Sequence, residues 1–220
     1  MTFVSSKLAR TVLAATLLAG AAVAGAPAAL AQNAPAAPAN APATAPTGVR
    51  GTITALSGDT LKVRTRAGQD LDVALAKDTA VRAVTLAKVD EIQSGSYIGS
   101  AAVPQADGSL KALEVHVFPP SMRGTGEGHR AWDLGKNSSM TNGTVGSVLV
   151  SNGRTITVKY PEGEKRIVIP ADVPIVNLEP GDRSLLVPGT HVVLFASKAA
   201  DGALTARFIS AGKNGVVPPM

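Results

Sequence analysis

Cysteine is absent from all 220 residues. Disulfide staples, thiol nucleophiles and cysteine-based metal sites are therefore excluded, and the fold must be held by packing and hydrogen bonding alone. Aromatic residues are also scarce, at 3%. Recognition of single-stranded nucleic acid by stacking, worth about 1–3 kcal/mol per base, has few platforms to use. No run of like charge is present either. The formal charge is +5, but Lys7 and Arg10 lie in the first 31 residues, which hold no acid, so the remainder carries +3 with both signs interspersed. That balance gives little reason to expect a nucleic-acid partner. Catalytic signatures are missing as well. There is no Gly-x-Ser-x-Gly elbow, and His116, His129 and His191 are far apart. The Gly124, Gly126, Gly128 string lacks the Lys-Ser/Thr of a phosphate loop and the strand-to-helix setting of a dinucleotide fingerprint. The expectation is a non-enzyme with no resident cofactor.

What is present begins with an address. Lys7 and Arg10 precede an apolar run from Thr11 to Gly25, and Ala29-Leu30-Ala31 places small side chains where a signal peptidase reads. Residues 1–31 are expected to be a signal peptide cleaved before Gln32. The run is shorter than the roughly 20 residues that span a bilayer, so no stable membrane insertion is expected after cleavage. Residues 32–47, almost wholly Ala and Pro, read as an extended tether. An Ala-rich leader and no cysteine suit export to the periplasm.

The rest is written twice. Arg50 to Val117 and Asn142 to Ser210 share one order of signals. Gly51-Thr52-Ile53 answers Gly143-Thr144-Val145, Leu61-Lys62-Val63 answers Ile156-Thr157-Val158, and Asp107-Gly108 answers Asp201-Gly202. A period of this length marks a duplicated supersecondary unit. Within each copy apolar residues alternate with polar ones, the mark of half-buried strands. Ser57-Gly58-Asp59 and Ser151-Asn152-Gly153 carry the residues of hairpin turns. Leu86 to Gln93 is the only helical candidate. Five strands in about 70 residues, with a short turn or helix between the third and fourth, predict an all-β protein of two tandem OB-like small barrels. The expected bounds are 48–118 for the first repeat, 119–141 for an ordered Gly-rich connector, 142–212 for the second repeat and 213–220 for a tail.

The pattern Gly-Thr-Ile/Val, strand-turn-strand, then Asp-Gly-x-Leu-x-Ala resembles exported bacterial domains of unknown function that are held to be OB-like. The resemblance covers most of the chain after the tether. It implies a fold and brings no catalytic residues.

Distinctive chemistry is concentrated in the connector, which holds the only Trp of the chain and two of its four Met. One reading is a loop that contacts a ligand, a protein or an envelope component through Trp132, Arg130 and Glu127. The other is that Trp132 and Leu134 merely dock the connector between domains, as a large aromatic with one polar edge often does. A metal-handling alternative uses Met122, His129 and Asp133, with Glu127 and Met140 nearby; thioether with imidazole suits copper, and imidazole with carboxylate suits zinc. A carbohydrate-contacting module would want exposed aromatic pairs, which are not evident. The favoured expectation is an exported binding or adaptor protein.

Overall fold

Two closed rings of strands account for nearly all of the regular structure. The computed structural model describes residues 47–150 and 154–220, so the leader, the tether to residue 46 and the Ser151-Asn152-Gly153 turn lie outside the described residues. The expected alternation is there: Leu61 and Val63 are buried while Lys62 and Arg64 face water, and Ile156 and Val158 are buried beside exposed Lys159. In chain order the first repeat supplies β1 (Thr47–Ser57), β2 (Thr60–Thr65), β3 (Asp70–Leu86), β4 (Tyr97–Pro104) and β5 (Leu110–Val117). The connector holds β6 (Gly128–Ala131). The second repeat supplies β7 (Ser139–Val150), β8 (Arg154–Tyr160), β9 (Gly163–Ile169), β10 (Ile175–Pro180), β11 (His191–Lys198) and β12 (Leu204–Gly212). Gly58, Gly108 and Gly202 take positive φ at the hairpin turns, and the Asp107 and Asp201 carboxylates each accept a backbone N–H two residues on, at 3.0 Å.

The rings and the sequence repeats do not coincide. β1, β2 and β3 pair in order, but β3 then pairs in parallel with β12, and β11 closes the ring on β1. The other ring runs β7, β8, β9 and then takes β5 and β4 from the first repeat before returning to β7. Each repeat thus keeps its first three strands and exchanges its last hairpin. The described residues accordingly belong to one compact unit.

The strand registers of the two halves correspond. Leu110 opposite Ile167 has its counterpart in Leu204 opposite Val73, with both hairpin and partner displaced by 94 positions. Gly143 opposite Ile98 matches Gly51 opposite Val192. Where β3 meets β10 the equivalent residues Val84 and Leu178 face each other, so a local two-fold axis passes between them. The opening glycines are equivalent in space too. A Cβ on Gly51 would overlap the Arg64 carbonyl and lie 2.7 Å from Val63; one on Gly143 would overlap the Lys159 carbonyl and lie 3.0 Å from Val158.

Three apolar clusters follow. One fills the first ring (Ile53, Leu61, Val63, Val73, Leu194, Ile209) and one the second (Ile98, Val115, Val145, Ile156, Val158, Ile167). The third, around Val84, Tyr97, Phe118, Leu178, Val193 and Met220, lies along the axis. The two ring interiors differ at one matched pair. Val49 faces Leu194 in the first ring, whereas the equivalent residues in the second are Thr141 and Ser100.

Two expectations need correction. Leu86 to Gln93 is not a helix: β3 runs to Leu86, paired along its last residues with β10, and only Val89–Glu91 forms a 3-10 turn. Its counterpart is a second such turn, Arg183–Leu185, placed beyond Pro180 and Gly181. The connector is also shorter than 119–141, because β7 begins at Ser139, where β4 and β6 both pair with it.

Candidate functional site

The connector roofs a cavity of about 290 Å³ close to the local two-fold axis. From the first repeat it takes Arg82, His116 and Phe118; from the connector Thr125, Gly126, Arg130 and Trp132; and from the second repeat Met140, Asn142, Leu178, Phe195, Phe208, Ser210 and Met220. Exchange of the hairpins makes this composition possible, since β5 and β12 come from opposite repeats.

Several contacts hold the roof down. The Arg50 guanidinium grips the Asp133 carboxylate through two hydrogen bonds, at 2.7 and 3.0 Å, and its Nε donates to the Met220 carbonyl at 2.9 Å. The Asn142 side-chain amide donates to the Thr125 carbonyl at 3.1 Å, and the Tyr97 hydroxyl donates to the same oxygen at 3.2 Å. Burial, with the Glu127 charge second, pushes the Tyr97 hydroxyl up to about 12, so it remains a donor at neutral pH. The Ser138 hydroxyl donates to the Trp132 carbonyl at 2.9 Å.

A ladder of rings lines one wall. Trp132 and Phe195 have centroids 5.5 Å apart, and Phe195 and Phe208 are 4.9 Å apart. A guanidinium sits at each end: Arg130 lies 5.5 Å from the Trp132 ring and Arg82 lies 5.0 Å from the Phe208 ring. Burial lowers the affinity of both for their proton, with the Tyr97 oxygen partly offsetting this at Arg130. Among the described residues neither has a carboxylate partner.

The polar wall is built from the exchanged hairpin. Glu114, fully buried, accepts from the Ala101 N–H at 2.8 Å and lies 3.0 Å from His116 Nδ1. With Nδ1–H donating to that carboxylate, the ring is oriented and Nε2 lies over Gly99. His116 packs edge-on against Phe118, centroids 4.9 Å apart. Gly99 makes room for this arrangement: a Cβ there would overlap His116 Nε2 and sit 2.5 Å from Asn142 Oδ1. Two buried polar atoms have no hydrogen-bond partner among the described residues, Trp132 Nε1 and Asn142 Oδ1, and both residues line the cavity. Leaving such groups unpaired costs about 1–3 kcal/mol each.

Of the residues singled out in the sequence, Trp132 and Arg130 are brought together at this cavity, while Glu127 is exposed outside it. Those of the metal alternative have separate partners. Met122 packs on the axial cluster, His129 Nδ1 is 2.8 Å from the Thr141 hydroxyl with its ring stacked on Tyr160, and Asp133 belongs to Arg50. Among the described residues no three His, Asp or Glu side chains are grouped as they would be to hold an ion. The sequence reading passed over Arg82, Glu114, His116 and Asn142. Glu114 and His116 stand two apart in an apolar strand, hence on one face, and that was the available signal.

No protein-family model, no curated protein and no solved structure matches this chain. The resemblance drawn from the turn glycines and core positions therefore rests on those residues alone.

Proposed function

We propose that this is an exported, non-enzymatic binding protein of the periplasm that holds a small molecule in the cavity beneath the connector. We further read its two five-strand rings as OB-like barrels with exchanged hairpins, a reading supported by their strand order. The observation that carries the binding reading is the pair of buried polar atoms without a partner among the described residues, Trp132 Nε1 and Asn142 Oδ1, on residues that line a cavity walled largely by rings and aliphatic chains. Specific small-molecule sites combine an apolar lining with a few placed polar groups in this way. A ligand that accepts from the indole N–H and donates to the amide oxygen would satisfy both. The leader supports export, and no helix among the described residues is long and apolar enough to cross a membrane.

Trp132 is the only Trp in the chain, so its emission reports on the cavity directly. Titrating the protein with a library of neutral and charged small molecules should find compounds that shift this emission. The same compounds should raise the melting temperature, by about 2.7 kcal/mol of stabilisation at a hundred times Kd. A protein whose emission and melting stay unchanged across the whole library is not a small-molecule binder of this kind.

A further inference from the structure

We infer that the ligand is an organic anion, an apolar ring body carrying one carboxylate-like group together with a hydrogen-bond donor. This rests on the reading of the cavity as a binding site and goes further by assigning its chemical class. Three observations converge. Among the described residues, the side chains lining the cavity include two guanidiniums, Arg82 and Arg130, and no Asp or Glu; Glu114, behind the wall, is turned to His116 and to the Ala101 N–H. Each guanidinium rests on a ring face, which satisfies part of its charge but none of its N–H donors aimed elsewhere. Arg130 spends one N–H on the Gly126 carbonyl, at 2.8 Å, while Arg82 has no hydrogen bond among the described residues. Guanidinium forks match planar two-oxygen anions, and of the two Arg82 is half-buried and Arg130 exposed.

The apolar share of the ligand follows from the walls. Phe118, Leu178, Phe195, Phe208 and Met220 offer ring faces and aliphatic surface to a flat body. The donor follows from Asn142, 4% exposed, whose amide orientation is fixed because its nitrogen already donates to the Thr125 carbonyl. Its oxygen, packed at Gly99 beside His116 Nε2, has no partner among the described residues, and an O–H or N–H from the ligand would satisfy it. A metal cation or a positively charged molecule would meet two guanidiniums and, among the described residues, no acid on the cavity wall itself, which disfavours both.

The experiment compares 6-hydroxy-2-naphthoate with 6-hydroxy-2-naphthamide on the intact protein by calorimetry. These two share ring body and donor and differ in charge. The acid is expected to bind at least about tenfold tighter, equivalent to about 1.4 kcal/mol. Arg82→Gln and Arg130→Gln should each weaken the acid by about tenfold and leave the amide within about threefold. Asn142→Leu should erase the advantage of 6-hydroxy-2-naphthoate over 2-naphthoate. Equal binding of acid and amide by the unaltered protein overturns the anion assignment while the cavity remains a binding site. If acid, amide and neutral 2-naphthol all fail to bind, the assignment and the binding reading fall together. The acid–amide comparison needs no variant, so a substitution that unfolds the chain cannot rescue the proposal.

Discussion

Exchange of hairpins between the repeats makes a demand on the isolated halves. Cut out alone, residues 47–118 still contain five strands, and their own hairpin could fold back to close a ring on β1–β3. The interior would then be mismatched. Ser100 would face Val49, where Leu194 sits in the intact chain. Replacing a buried Leu by a residue without its methyl groups costs about 2–5 kcal/mol, cavity included. In the other half, Leu194 would face Thr141, whose hydroxyl has lost His129, its partner at 2.8 Å, and a buried hydroxyl left unpaired costs about 1–3 kcal/mol. A domain of about 70 residues has only about 5 kcal/mol in hand. Neither half should therefore hold a stable monomeric ring.

The assay is to express 47–118 and 139–220 separately, follow urea unfolding by circular dichroism, and measure mass by light scattering. Each alone should lack a cooperative transition as a monomer; mixed, they should form a one-to-one complex with one. Ser100→Leu sharpens the test because its sign reverses with context. It should stabilise the isolated first repeat, where Leu meets Val49, and destabilise the intact protein, where it meets Thr141. If 47–118 alone is a monomer that unfolds cooperatively within about 1 kcal/mol of the intact chain, the hairpins are interchangeable and this reasoning is wrong.

Three other outcomes are expected. Gly99→Ala should lower stability by about 1–3 kcal/mol in urea unfolding, because its Cβ overlaps a His116 ring that Glu114 and Phe118 hold in place. Trp132→Ala should open the connector to proteolysis within 119–138 while both rings stay folded; the indole is half-buried, so the loss should fall short of the about 3–5 kcal/mol of a fully buried one. The hydrogen bond from Arg50 holds the Asp133 carboxyl below its usual range, so its clasp on the connector is complete above the unfolded value near pH 4 and is lost as pH falls through the lower folded value. Cleavage of the connector by pepsin should rise only across that acid range, Asp133→Asn should be cut as readily by a neutral protease at pH 7, and global stability should shift by less than about 1 kcal/mol because the carboxylate is exposed.

The all-β class and the strand positions were legible in the sequence, because period-two alternation and turn glycines are local signals. Leu61, Val63, Ile156 and Val158 are buried where the alternation puts them. The partners of those strands were not legible. Both hairpins, β4–β5 and β11–β12, fit either ring by pattern, and inside the rings the Val49–Leu194 and Thr141–Ser100 pairs distinguish them. The helix expected near Leu86 failed for a related reason: β3 continues there because β10 pairs with it, a contact no local signal records. The site was half legible. Trp132 and Arg130 stood out by composition, whereas His116 reads as an ordinary strand residue until the fold carries Gly99 and Asn142 to it.

Comparison of the two halves shows where corresponding positions differ. Ring interiors keep their character between equivalent positions: Ile53 and Val145, Leu61 and Ile156, Val73 and Ile167, Val115 and Ile209. The cavity wall does not. His116 answers to Ser210, Phe208 to Glu114, Phe195 to Ala101, Asn142 to Arg50 and Arg82 to Val176. Packing alone would tolerate similar residues on both sides of the axis, as it does in the rings, where volume-conserving changes cost little. A two-fold cavity would also present every group twice. What the chain has instead is one buried Glu–His pair, one unpartnered amide oxygen and one indole N–H, each on one side only. Under the binding function proposed above, such a set would fit an asymmetric molecule in a single orientation, because none of these groups has a counterpart across the axis.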